Sequence, residues 1–158
     1  MKILNAGPGF SVEMTEEELL DFLSESKINL HVGTLDQDGY PNIHPVWYTF
    51  DMTLQRIYFN TSRTSKKFIN LFKNPLVYFC IDSCTPPYKG VRGKGKIGIS
   101  DDMKKNIPIA EKILVKYVGD FSHPIASNIL NSIKKNDSVI VEITPNYYST
   151  WDDGKIKW

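Results

Sequence analysis

The chain has 158 residues, of which 41% are hydrophobic and 23% charged, with a formal net charge of +1. That length suits one domain, residues 1–158, with a core of real size, and that composition is ordinary for a globular chain. The near-neutral charge excludes the basic profile of a nucleic-acid or anionic-membrane binder, and no apolar run reaches the length of a membrane span. The first residues lack the basic and apolar regions of a signal peptide, so a cytoplasmic location is expected. Cys80 and Cys84 are then expected as free thiols. Their Cys-x-x-x-Cys spacing has no second pair of ligands, and the three histidines show no ligand spacing, so no metal site is expected.

Residues 1–14 read as an irregular arm, because Gly7-Pro8-Gly9 disfavours regular structure. Thr15 and Glu18 have the spacing of a capping box. Leu19, Phe22 and Leu23 give the helix that follows one apolar side, and it should end near Ser26. Glu16, Glu17 and Glu18 favour that N-terminus through the macrodipole and need no catalytic explanation. Asn29–Leu35 alternates as a strand, Asp36-Gln-Asp-Gly39 is a turn, and Asn42–Phe50 completes a hairpin. Pro41 and Pro45 mark the second strand as an edge or a bulge, with backbone groups left unpaired.

Ile57, Tyr58 and Phe59 begin another strand. At Thr61 the chain turns to small hydroxyl and basic residues, after which Phe68, Leu71 and Phe72 fall at helical spacing. Thr64 reads as the N-cap, placing Ser65, Lys66 and Lys67 in the first turn. Cations at a helix N-terminus cost roughly 0.3–1 kcal/mol. An anion held by free N–H groups, the hydroxyls of Thr61, Ser62 and Ser65, and the two ammonium groups would reverse that sign. The alternative is a pair of solvated surface lysines.

Leu76–Ile81 is apolar enough for a strand buried on both faces, with Cys80 in the core. Gly93-Lys-Gly-Lys-Ile-Gly98 matches the dinucleotide fingerprint, but Pro86-Pro87 before it and Ser100-Asp-Asp102 after it lack the βαβ context. A twisted strand over Val91–Ile99 fits better. Pro108–Tyr117 reads as a helix ended by Gly119, and a second helix runs from Pro124 to about Lys135. Val139, Val141 and Ile143 alternate in a strand that Pro145 breaks, and Asn146–Trp151 is the last strand.

The run from Thr61 to Lys67, preceded by Ile57-Tyr-Phe-Asn60 and followed by Asn74-Pro75, resembles the pyridoxamine 5′-phosphate oxidase superfamily. The likeness extends from about Ile28 to Gly95, and more weakly to Trp151. It implies a mainly β fold, a six- or seven-stranded antiparallel split barrel with peripheral helices. It also implies a homodimer with FMN at the subunit interface. By resemblance Ser65, Lys66 and Lys67 would hold the FMN phosphate, with Asn60 and Thr61 near the ribityl chain or ring. Pro45, Val46, Trp47 and Tyr48 would meet the ring, and Trp151 would pack on it or anchor the partner subunit.

Two departures stand out. The family's arginine and lysine at the ends of the ring-contacting strand are replaced by His44-Pro45 and Thr49-Phe50. Its arginine-rich C-terminal substrate segment has no counterpart in Tyr147–Trp158. An FMN-dependent oxidoreductase acting on a small molecule is therefore expected, rather than pyridoxamine phosphate oxidation itself. A non-catalytic FMN carrier and a user of the deazaflavin coenzyme are the alternatives. No nucleophile–base pair is legible, and no catalytic residue is assigned.

Overall fold

The computed structural model describes residues 1–157, so Trp158 lies outside the described residues. The elements are β1 (Ile3–Asn5), α1 (Glu16–Glu25), β2 (Leu30–Leu35), β3 (Pro41–Val46), β4 (Thr49–Asp51), β5 (Arg56–Ser62), α2 (Lys66–Lys73), β6 (Leu76–Asp82), β7 (Lys89–Ser100), α3 (Met103–Val118), α4 (Pro124–Lys134) and β8 (Ser138–Asp152). Seven strands form an antiparallel path in the order β3-β2-β6-β7-β8-β5-β4, and β1 joins β8 in parallel.

The two ends of that path, β3 and β4, are consecutive in sequence and joined only by Trp47 and Tyr48. Seven flat strands would span about 30 Å. Val46 to Thr49 can reach only about 11 Å. The sheet must therefore roll until its edges nearly meet, which gives the split barrel expected from the sequence.

Strand alternation fills the inside of the roll. Leu30, Val32, Ile57, Phe59, Phe79, Ile81, Val141 and Ile143 are buried there, with Leu19 and Leu23 of α1 in the same core. Each such side chain contributes roughly 1.5–3 kcal/mol. A second layer lies outside the sheet, where Tyr58 and Ile140 meet Ala110 of α3 and Ile133 of α4. The rest of the outer face, over β3, β2, β6 and the first half of β7, carries no helix. Ile43, Gly33, Tyr78, Lys94 and Tyr147 form one cross-strand row on it, and Ile43 and Tyr78 are 69% and 57% exposed. Among the described residues no helix is long and apolar enough to cross a membrane.

Several boundaries differ from the sequence reading, each for a local reason. The arm is not wholly irregular: Ile3–Asn5 finds a ladder on β8 that no local pattern encodes. The strand expected over Asn42–Phe50 breaks at Trp47 and Tyr48, where the chain passes from one edge of the sheet to the other. β6 is buried on one face only, with Leu76 and Tyr78 exposed, so Cys80 is half-buried rather than core. α3 starts at Met103, because Asp102 Oδ1 caps Lys104 N at 3.0 Å, and Pro108 is carried inside the helix. Pro145 does not end β8. A register shift opposite it, between Lys94 and Gly95, lets the ladder continue.

The expected features that hold have equally local causes. Thr15 Oγ1 accepts from Glu18 N at 3.2 Å, and Thr15 N donates to Glu18 Oε2 at 2.7 Å. Gly39 and Gly119 take positive φ at the predicted turn and helix end. His123 Nδ1 accepts from Ile125 N at 3.2 Å and so caps α4. The glycine-rich stretch is β7.

Candidate anion site at the start of helix α2

The turn that follows β5 is a network of hydroxyls. Ser65 N donates to the Ser62 carbonyl at 3.1 Å, closing a tight turn. Ser65 Oγ donates to the same carbonyl at 2.8 Å, accepts from Phe68 N at 3.2 Å and lies 2.8 Å from Thr61 Oγ1. Ser65, not Thr64, is therefore the N-cap of α2. The cap sits one residue later than expected because Thr61, on the inward face of β5, fixes Ser65. With its proton on Ser62 and its lone pairs filled by Phe68 and Thr61, Ser65 holds the turn and has no spare donor. Ile69 N is taken by the Ser65 carbonyl. The amides of Lys66 and Lys67, at the first two helical positions, keep no partner among the described residues.

The charges divide sharply. Arg63 turns away: its Nε and Nη2 each donate to Asn136 at 2.8 Å, and Asp101 lies 3.5 Å off. Lys66 is exposed and Lys67 half-buried, neither has a carboxylate partner among the described residues, and the first turn of α2 holds no acid. Burial lowers the Lys67 pKa, as it must for an ammonium taken from water without a counter-ion. The first turn of α2 thus carries two free amides, the positive end of a helix and two lysines without a carboxylate, a chemistry suited to a phosphate or carboxylate.

A second set of residues beside it was not legible in the sequence. Asn70, buried one turn after Lys66 and Lys67, donates from Nδ2 to Thr34 Oγ1 at 2.9 Å, and Thr34 Oγ1 is 3.3 Å from His44 Nε2. Burial lowers the His44 pKa, and the Lys67 charge lowers it further. His44 is thus a neutral imidazole at pH 7 within electrostatic reach of Lys67. The signal available beforehand was one polar residue, Asn70, three positions after Lys67 on the same helix side. A cavity of about 190 Å³ lined by Lys66, Asn70, Lys73 and the β2–β3 turn adjoins this set.

The remaining candidates scatter. Pro45 is exposed on the edge strand β3. Val46 and Tyr48 are buried in the core, and Trp47 stacks on Tyr117 of α3 at 5.1 Å and 9°. Those three side chains are committed to packing. Asn60 and Thr61 point to opposite faces of β5, Thr61 inward with Phe59 and Asn60 outward with Tyr58. Trp151 lies against Gly90, on the bare outer face. Ser62 pairs with Ser138 at the first residue of the fifteen-residue β8. Trp151 is near the last residue of that strand.

The solved structures this chain is similar to share its fold. The conserved hypothetical protein Rv2991 from Mycobacterium tuberculosis superimposes with a TM-score of 0.77 at 22% identity, over 95% of this chain and 93% of that one. An F420 reductase matches with a TM-score of 0.62 at 25% identity, over 82% of this chain and 94% of its own. HutZ, the heme storage protein from Vibrio cholerae, matches with a TM-score of 0.59 at 14% identity, over 83% and 89%. No curated protein matches the sequence. The sequence model for pyridoxamine 5′-phosphate oxidase covers residues 15–152, which takes in the barrel and the turn before α2. With that match spanning nearly the whole barrel, the chain belongs to the pyridoxamine 5′-phosphate oxidase family.

Proposed function

We propose that this protein is a flavin-dependent oxidoreductase that holds FMN by its phosphate at the N-terminus of α2. The observation that carries this reading is the half-buried Lys67, left without a carboxylate beside two free amides. Bound there, FMN supplies two-electron hydride chemistry. The protein's part is to hold and orient: Lys66 and Lys67 neutralise the phosphate, and Ser65 and Thr61 keep the turn in shape. The backbone of the edge segment Pro45–Tyr48 would meet the ring edge.

A second copy of the chain completes the site in this proposal. The bare outer face, with Ile43, Tyr78 and Tyr147, is the surface it would cover, and Trp151 stands on that face. In this reading the contact of Trp151 with the flavin would come from the partner. The substrate is a small molecule, and the compartment expected is the cytoplasm.

The test is the visible spectrum of the purified protein after FMN addition and removal of excess, alongside Lys66→Ala/Lys67→Ala. Retained flavin near one per subunit is expected. The double variant should lose about 3 kcal/mol of affinity, on the order of a hundredfold, with its fold intact. Unchanged affinity would remove the phosphate assignment, and bound FMN that no NAD(P)H or acceptor turns over would leave a carrier.

The deazaflavin coenzyme is the second reading, supported by the similarity to an F420 reductase and by Lys73 beside the same cavity. It has a longer acidic tail than FMN. Competition between the two for the cofactor-free protein separates the readings.

A further inference from the structure

The second layer of the fold contains a cavity that the cofactor reading does not use. It encloses about 580 Å³ between α3 and the outer face of β4, β5, β7 and β8, within the range of small-molecule pockets. The phosphate-binding turn lies beyond the end of β5, whereas this cavity rests on its middle, at Tyr58.

The floor is apolar and polar in separate places. Leu54, Tyr58 and Ile140 give it an apolar surface. Gly98 opens it further: a Cβ there would meet nothing within 4 Å, although Gly98 sits in the regular β7–β8 ladder opposite Glu142. The acids of the floor are already engaged. Glu142 pairs with Arg56 at 3.5 Å, and Asp51 Oδ1 accepts from Leu54 N at 2.9 Å.

The roof is different. Lys105, Ile109 and Lys112 follow one another at i, i+4 and i+7 along α3, and all three line the cavity. Lys112 has no ion pair among the described residues, and Lys105 reaches only Asp102, at 3.9 Å. The roof thus presents two ammonium groups, over a largely apolar floor whose acids are Glu142 and Asp51.

We propose that this cavity is a second binding site, for a flat apolar molecule bearing one anionic group, whose ring lies on Gly98 and whose anion meets Lys105 and Lys112. The size, the missing side chain at Gly98 and the two lysines of the roof select that occupant. A neutral apolar molecule would leave the lysines unused, and a highly charged one would meet Leu54 and Ile140.

The probe is 1-anilinonaphthalene-8-sulfonate, titrated by calorimetry into the full chain in 0.1 M salt. One saturable site per chain is expected. Gly98→Phe, which fills the cavity from an unstrained strand position, should weaken binding at least tenfold while the thermal transition stays within a few degrees. Lys112→Ala should weaken it about fivefold, and Lys66→Ala/Lys67→Ala should leave it unchanged. Absence of binding, equal affinity for the uncharged N-phenyl-1-naphthylamine, or affinity unaffected by Gly98→Phe would overturn the proposal. So would loss in the Lys66/Lys67 variant, which would put the probe in the cofactor site. The thermal transition of each variant separates a blocked cavity from a misfolded chain. Failure of the FMN tests would leave this result untouched.

Discussion

The three glycines that mimic a dinucleotide fingerprint make a sharp comparison, because the fold uses them unequally. A Cβ at Gly93 would stand 2.4 Å from the Tyr147 carbonyl and 2.7 Å from Cζ of Phe79, one in the β8 backbone and the other in the core. Neither neighbour is the free end of a flexible chain. About 1 Å must be found by moving a strand or displacing a buried ring. Overpacking of this kind costs about 1–3 kcal/mol, and the backbone partner puts Gly93→Ala near the upper end. For a chain of this size that is a fall of roughly 6–12 °C in Tm.

At Gly98 the space is open and φ is not positive, so alanine restricts only the unfolded chain. Gly98→Ala should then be neutral or stabilising by up to about 1 kcal/mol. Urea unfolding at one fixed protein concentration measures both, with the slope unchanged and only the midpoint moving. Equal midpoints for the two variants, or Gly93→Ala within about 0.5 kcal/mol of wild type, would refute the close-approach account.

Two further outcomes follow from buried titratable groups. Lys116 donates to the Leu23 carbonyl at 3.0 Å and sits 3.7 Å over the Tyr48 ring, and burial pushes its pKa down from 10.5 to about 8. Between those values the folded state binds fewer protons than the unfolded, so this group's contribution to stability rises with pH across that window. Wild type should gain on the order of 2 kcal/mol over Lys116→Met between pH 8 and pH 10, read from paired urea curves; parallel curves would refute it. The buried tyrosines lose stability above pH 10 in both proteins and cancel. At Cys80, burial and then Asp82 push the thiol up to about 11, while Cys84 is exposed. Only about one Cys80 in a thousand is thiolate at pH 8, against about a quarter of an ordinary thiol. Mass mapping after brief iodoacetamide treatment should find Cys84 labelled first, and labelling of Cys80 first would contradict the burial argument.

What the sequence disclosed and what it hid follow from the range of the forces involved. Thr15 with Glu18, Gly39, Gly119 and the stripe on α1 are set by neighbours within four residues, and all were legible. The turn before α2 was legible as a hydroxyl-rich, basic junction. Its internal wiring was not, because the cap is chosen by Thr61, whose orientation depends on which face of β5 is buried. His44 and Asn70 meet through Thr34, and three separate elements must pack before that chain exists. The partners of Arg63, Asn136 and Asp101, are distant in sequence and were equally hidden. β1 was hidden for the same reason, since its only partner is β8.

The place of β8 in the strand order bears on how the chain comes to be folded at all. Ser138–Asp152 is the last strand made, yet it supplies the ladder for β1, β5 and β7. Until it emerges, β4 and β5 form a hairpin with no third strand, and β7 shows its longest edge unpaired. Such edges are templates for the wrong partner, and pairings between distant segments are slow to form. A chain stalled or cut anywhere before Ser138 would thus be a set of sticky fragments rather than a smaller barrel.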